Sequence, residues 1–108
     1  MKLAVIPFEK IARGKKVIES RLYDEKRRQI AIGDRIEFTC NNEPTKKVLT
    51  KVNALYRYGS FNELFSNFPP EYFGGESKEE LIKEIGAFYS KEDQKNYGVV
   101  GIRIELVQ

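Results

Sequence analysis

Residues 13–34 read RGKKVIESRLYDEKRRQIAIGD, a stretch in which a β-strand pattern carries a high density of charge. The two-residue period of a strand separates two faces, Ile18, Ser20 and Leu22 against Val17, Glu19 and Arg21. The first set predicts the core face, so Glu19 and Arg21 should project together, ~6.6 Å apart along the strand. Lys16 follows Gly14 and should reach the same side. We therefore expect a cleft lined by Lys16, Glu19 and Arg21, with Ile18 and Leu22 buried.

Basic residues are concentrated in this part of the chain. Residues 13–28 contain seven basic and three acidic side chains, whereas the whole chain has a net charge of only +3. Neighbouring cations would keep Glu19 ionised, able to orient a lysine or to accept a hydrogen bond from an exocyclic amine. The alternative is an exposed strand face with a Glu19–Arg21 ion pair, which would contribute only ~0–1 kcal/mol.

Composition restricts the class of protein. A chain of 108 residues with 41% hydrophobic residues predicts one globular domain, residues 1–108. No apolar run approaches the ~18 residues of a membrane span, and the short apolar start is followed at once by charges, unlike a signal peptide. We expect a cytoplasmic protein with no membrane partner, and nothing in the composition indicates an oligomeric state.

The missing residue types exclude several chemistries. There is no His and one Cys, Cys40, which excludes a Cys/His zinc site, an internal disulfide and the His-dependent nucleophile pairs. Any catalysis must use Lys, Glu, Asp, Tyr, Ser or Thr. Asp24 and Glu25 are adjacent but lie beside basic residues, which indicates a solvated turn. We expect no metal and no cofactor, and we expect Cys40 to be a small core residue.

The remaining pattern predicts seven elements in the order α-β-β-β-α-α-β. A helix is predicted over 7–13, and strands over 16–22, 35–40, 47–58 and 98–107. Helices are predicted to begin after Ser60 and Ser77, each followed by Glu three residues later. The strand over 47–58 places apolar residues on both faces, which predicts a β-bulge. This order is typical of an α+β fold around a small, strongly curved sheet or barrel.

Residues 14–38, GKKVIESRLYDEKRRQIAIGDRIEF, resemble the signature of the ASCH domain, a branch of the PUA-like superfamily. Gly14, Lys16 and Arg21 match Gly-x-Lys-x-x-x-x-Arg, and Gly33-Asp34 matches the Gly-Asp that opens the next strand. YRYGSFNELF and YGVVGIRIEL, further along, are also similar to small stand-alone members. The resemblance implies a PUA-like curved mixed sheet or small barrel with flanking helices, and a cleft that carries the motif.

The resemblance also implies an RNA or nucleotide ligand. Arg21 and the cluster of Lys26, Arg27 and Arg28, with Lys15, would bind phosphate, while Glu19 would contact a base or orient Lys16. Tyr23 would stack on a base, whereas Tyr56 and Tyr97 would close the barrel.

Two enzyme alternatives and one further binding role remain open. One ASCH branch hydrolyses N4-acetylcytidine; Lys16 matches its lysine, whereas Glu19 stands where that branch has Thr. The others are a ribonuclease and a regulatory partner-binding module with an empty cleft. A buried Lys16 within hydrogen-bond reach of Glu19 would favour the amidohydrolase, and an open groove continuing to Lys26 and Arg28 would favour RNA.

Overall fold

The computed structural model describes residues 1–107, which form a five-stranded sheet flanked by four α-helices. The strands are β1 (Lys2–Leu3), β2 (Ile18–Leu22), β3 (Arg35–Cys40), β4 (Lys47–Tyr58) and β5 (Val99–Leu106). The helices are α1 (Val5–Ala12), α2 (Phe61–Ser66), α3 (Lys78–Gly86) and α4 (Lys91–Tyr97). Two 3₁₀ turns lie at Arg27–Gln29 and Pro70–Phe73.

The sheet is mixed and curls towards closure. Its strand order is β1-β3-β4-β5-β2, with β1 parallel to β3 and every other pair antiparallel. The two edge strands approach each other: the Arg21 guanidinium on β2 donates a hydrogen bond to the backbone oxygen of Lys2 on β1 at 3.3 Å. This half-barrel confirms the α+β, PUA-like curved sheet predicted from the sequence.

Each face of the sheet carries its own core. The first core packs α1 against the strands and contains buried residues such as Phe8, Ile11, Phe38, Val52 and Ile102. The second core packs α2 and α3 against the other face and includes Ile18, Leu22, Phe61, Leu64 and Val99. Ile18 and Leu22 are buried as predicted, and so is Cys40.

The predicted bulge lies in β4. Val52 pairs with Ile104 and Ala54 with Arg103, so Asn53 is an extra residue opposite a single partner. Beyond the bulge Leu55 pairs with Ile102. Val52 and Leu55 therefore both contact the first core, although their numbers differ in parity. The bulge explains why apolar residues occupied both faces of this strand in the sequence pattern.

Helix starts follow the serine signals. Ser60 and Ser77 accept hydrogen bonds from the backbone N–H groups of Glu63 and Glu80, as predicted. The sequence did not predict α4, whose polar residues KEDQKNY lack an apolar period, although Ser90 and Asp93 form a reciprocal capping box there.

The first helix begins earlier than predicted, at Val5 instead of Pro7. Pro7 lies in the first turn, where its missing N–H removes no intrahelical hydrogen bond. The chain reverses after this helix at Gly14, whose φ of 74° favours glycine. Among residues 1–107, no helix has the length and apolar character needed to cross a membrane.

Candidate nucleotide-binding pocket

A pocket opens between the β2 edge of the sheet, the start of α1 and the end of α3, with a volume of 260 Å³. One wall is charged and consists of Lys16, Glu19 and Arg21. The other walls are mainly apolar and include Pro7, Phe73, Leu81, Ile85 and Phe88. The pocket therefore lies between the two edge strands of the half-barrel, β1 and β2.

Glu19 is the centre of the charged wall. Lys16 Nζ lies 2.7 Å from Glu19 Oε1, and Arg21 Nε donates to Glu19 Oε2 at 2.7 Å. The three side chains are 13%, 4% and 16% exposed for Lys16, Glu19 and Arg21. Each carboxylate oxygen therefore has its own cation, as a buried charge requires.

The surroundings hold Glu19 in its charged form. Burial alone raises the pKa of Glu19, but the charges of Lys16 and Arg21 and their hydrogen bonds outweigh it and hold that pKa below its ordinary range. Burial likewise opposes the charge on Arg21, yet the Glu19 carboxylate and the neighbouring Tyr89 phenol raise the pKa of Arg21 above its usual value. The cluster therefore carries a net charge of about +1.

Register explains why a carboxylate is buried here. Glu19 pairs with Ile102 across the β2–β5 ladder, so it lies on the same sheet face as the first core. The sequence pattern had placed this face of β2 in an open cleft. All three side chains do line one pocket, but the pattern did not indicate that Glu19 would be only 3% exposed, with Lys16 and Arg21 each paired to one of its oxygens.

Lys16 is positioned by two backbone features. Its backbone N–H donates to the carbonyl of Lys10 at 3.1 Å, which ties the segment after Gly14 to α1. Gly74, with a φ of 81°, packs against the aliphatic part of Lys16, where an added Cβ would lie 3.3 Å from Lys16 Cβ. A glycine at that position lets the backbone approach the lysine closely.

The other predicted site residues lie outside the pocket. Lys15 and Lys26 are exposed. The pKa of the Met1 amino group is lowered, first by burial, then by the charge of Arg21 and then by the charge of Lys26. Arg27 pairs with Asp24 at 2.9 Å. The structure thus brings together Lys16, Glu19 and Arg21 and separates them from the 26–28 cluster.

The ring of Tyr23 is covered by arginines. Arg57 and Arg28 place their guanidinium carbons 4.3 and 4.9 Å from its centroid. Of the two tyrosines expected to close the barrel, Tyr56 packs against Phe68 with tilted rings, 4.6 Å between centroids. Tyr97 is 46% exposed, so that expectation was wrong for Tyr97.

Several pocket residues were not identified from the sequence. Ser20 had been assigned to the core face, and Ile85, Phe88 and Tyr89 were not among the predicted site residues. Phe88 is 77% exposed at the rim of the pocket, because α3 ends at Gly86 before the apolar period does. Arg57, which covers the ring of Tyr23, was not identified from the sequence either. It reaches the sheet face of Tyr23 because the bulge between Val52 and Ala54 shifts the alternation of side chains along β4. Within residues 1–107, no group of three or more Cys, Asp or Glu residues is arranged to hold a metal ion.

Comparisons with known proteins identify relatives over the whole chain. A family model of the ASCH domain matches residues 1–108. Hypothetical protein PH0355 has 39% sequence identity and a TM-score of 0.81, over 99% of this chain and 100% of its own. Protein PF0455 from Pyrococcus furiosus has 37% identity and a TM-score of 0.73, over 100% of this chain and 99% of its own.

A third solved structure is more distant. A mutant form of ZmASCH from Zymomonas mobilis has 17% identity and a TM-score of 0.62, over 97% of this chain and 65% of its own, which shows a shared fold. No curated protein sequence matches this chain.

Proposed function

This chain belongs to the ASCH domain family, and on that premise we propose that its pocket binds the base of a nucleotide, either free or as one residue of an RNA. The observation that carries the proposal is the ionised carboxylate of Glu19, with its two cations, in one wall of a pocket whose other walls are mainly apolar. Family resemblance adds RNA or nucleotides as the expected ligand class. The cytoplasmic location expected from the sequence agrees with such a ligand.

The size of the pocket favours a single base unit. Its 260 Å³ lies near the lower end of the ~300–1,000 Å³ of small-molecule sites. Lys26, Arg27 and Arg28 do not line this pocket, so its own walls hold one base unit and not a run of nucleotides. One base, with part of its sugar, fits these dimensions better than a polynucleotide segment.

The polar groups suit a base with an amino group. Each oxygen of Glu19 uses one lone pair on a cation and keeps a second, with which the carboxylate can accept from the exocyclic amine of cytosine, adenine or guanine. Lys16 and Arg21 carry N–H donors for carbonyl oxygens or phosphate. The exposed ring of Phe88 offers a stacking surface at the rim, with Ile85 and Phe73 below it.

Calorimetric titration with the four ribonucleosides and their 5′-monophosphates tests the proposal. We expect binding by at least one ligand with an exocyclic amine and weaker binding of uridine. Phe88→Ala should weaken binding about fivefold or more, the equivalent of the ~1 kcal/mol lower range of base–aromatic stacking. Because Phe88 is exposed, this variant should fold normally.

Ile32→Ala is the matched control for Phe88→Ala. Ile32 is 67% exposed and apolar, but it does not line the pocket. Its removal should leave nucleotide affinity unchanged. Failure of every nucleoside and nucleotide to bind, or equal effects of the two variants, would refute the proposal.

Amidohydrolysis of a modified nucleoside is the second candidate, because Lys16 is largely buried and lies 2.7 Å from Glu19. Glu19 could activate water, and Lys16 or Arg21 could stabilise the oxyanion. A carboxylate whose pKa is held low is a weak base at neutral pH, however, so the geometry favours binding. We expect no turnover of N4-acetylcytidine; robust hydrolysis that Lys16→Ala abolishes would favour the enzyme.

A further inference from the structure

A second group of cationic and aromatic side chains lies beyond the end of β2, at the opposite end of that strand from Lys16. Tyr23 directly follows β2, Arg28 lies in the first 3₁₀ turn, and Arg57 lies near the end of β4. With Tyr58 and Tyr97 they line a surface cavity of 450 Å³. We call this group the Arg-Tyr site. It shares no lining residue with the nucleotide pocket.

No carboxylate neutralises the Arg-Tyr site. No Asp or Glu lines the cavity, and within residues 1–107 neither Arg28 nor Arg57 forms a salt bridge. The nearest acidic residue in sequence, Asp24, accepts hydrogen bonds from Arg27 at 2.9 and 3.1 Å. Two positive charges therefore face the cavity without a local counter-charge.

The two arginines are held by the protein itself. Tyr23 lies under both guanidinium groups, at 4.3 Å from Arg57 and 4.9 Å from Arg28. Arg28 Nε also donates to the backbone oxygen of Tyr23 at 3.1 Å. In Arg28, Tyr23 covers one face of the guanidinium and Nε is already hydrogen-bonded. Its terminal N–H groups can still donate to the oxygens of a phosphate.

We propose that the Arg-Tyr site binds a backbone phosphate of single-stranded RNA, with a neighbouring base stacked on Tyr97. Arg28 and Arg57 form the phosphate contacts, and Tyr23 orients them instead of stacking on a base. Tyr97 is 46% exposed and has a free aromatic surface in the same cavity. A cationic groove beside exposed aromatic rings is the arrangement with which proteins bind single strands.

The position of the site connects it with the pocket. Arg21 and Tyr23 are two residues apart along the direction of β2, a separation of ~6.6 Å if the extended backbone continues. The first lines the pocket and the second the Arg-Tyr site. The phosphate site stands without the pocket; if the nucleotide proposal also holds, one strand can place a base in the pocket and its phosphate at Arg28 and Arg57.

The test is the affinity of a fluorescently labelled octanucleotide RNA, measured by anisotropy across salt concentrations. The double variant Arg28→Gln/Arg57→Gln should weaken binding at least about tenfold and reduce the log–log salt slope by ~0.7, the value for one neutralised phosphate of a single strand. Tyr97→Ala should weaken binding severalfold, whereas Tyr97→Phe should retain it, since stacking needs the ring and not the hydroxyl.

Arg35→Gln/Lys51→Gln is the matched control, because these cations are exposed, form no salt bridge within residues 1–107 and face each other on β3 and β4. It removes the same charge and should change affinity by no more than about twofold. Equal losses in the two double variants would overturn the proposal, since they would show attraction by overall charge alone.

Competitors identify the source of the bound phosphate. Unlabelled RNA should displace the probe, whereas inorganic phosphate or polyglutamate at the same phosphate or carboxylate concentration should not. Displacement by either of these two would overturn the RNA assignment. The two proposals fail separately. Arg28→Gln/Arg57→Gln should leave nucleoside binding in the pocket intact. If Phe88→Ala abolishes RNA binding and the double arginine variant does not, the result would support the pocket and reject the Arg-Tyr site.

Discussion

The pocket and the Arg-Tyr site draw on the same short basic segment but use their cations differently. In the pocket, Lys16 and Arg21 both contact one buried carboxylate. In the Arg-Tyr site, Arg28 and Arg57 contact an aromatic ring and, within residues 1–107, pair with no carboxylate. The difference shows that the location of the acidic partner decides whether an arginine holds the fold together or remains free for an anionic ligand.

The largest expected effect is on stability, and it comes from the pocket. Glu19→Gln removes the charge that both cations share and leaves Lys16 and Arg21 largely buried without it, which should cost about 3–5 kcal/mol of unfolding free energy. Urea denaturation measures the loss. Asp24→Asn is the control, because Asp24 is 30% exposed against 4% for Glu19, and it should cost less, about 1–2 kcal/mol. Similar losses in both variants would contradict the distinction between the two regions.

A smaller effect is expected in the pH dependence of stability. The folded pKa of Glu19 is depressed, so the unfolded chain binds a proton first as the pH falls below ~4.3, the ordinary glutamate value. The stabilisation from Glu19 is complete above that pH and is lost as the pH falls through the folded pKa. Wild-type protein should therefore lose up to ~1.4 kcal/mol more per pH unit than Glu19→Gln in this window. Parallel pH profiles would show that Glu19 is not held in its charged form.

The smallest expected effect separates two members of the basic cluster. Arg28 lies in the Arg-Tyr site and Lys26 outside it, although they are two residues apart. Arg28→Gln should reduce the log–log salt slope of RNA binding by up to ~0.7, whereas Lys26→Gln should reduce it by less. Anisotropy titrations of the two single variants measure both slopes. Equal slopes would mean that the cluster acts only through its total charge.

Local signals in the sequence predicted much of the fold. The bounds of β3 and β4 match the predicted strands, and the bulge and two serine caps were predicted correctly. Each depends on residues close together in the chain. By contrast, β1 has only two residues and forms because Lys2 and Leu3 pair with β3, far along the chain. A periodic pattern cannot appear in two residues.

The site was harder to predict because it depends on distant contacts. Lys16, Glu19 and Arg21 were identified together from one strand and one motif, and the structure does place them together. Their burial was not predicted, since it comes from sheet register and from walls supplied by α1 and α3. Arg57 is 34 residues from Tyr23 in the sequence, and only the folded sheet brings the two into contact.

The extra residue in β4 also determines where this strand can change its length. Asn53 and Ala54 lie opposite the same partner, so deleting Asn53 would leave Val52, Leu55 and Arg57 on the face that each now occupies. A one-residue deletion well before the bulge, for example at Leu49, would instead reverse the faces of neighbouring side chains. The cost of losing Asn53 would be reduced bending and twist, because a bulge increases both. This strand can therefore lose one residue at the bulge without moving its side chains from one core to the other. The sheet would lose part of the curvature that brings Arg21 to Lys2.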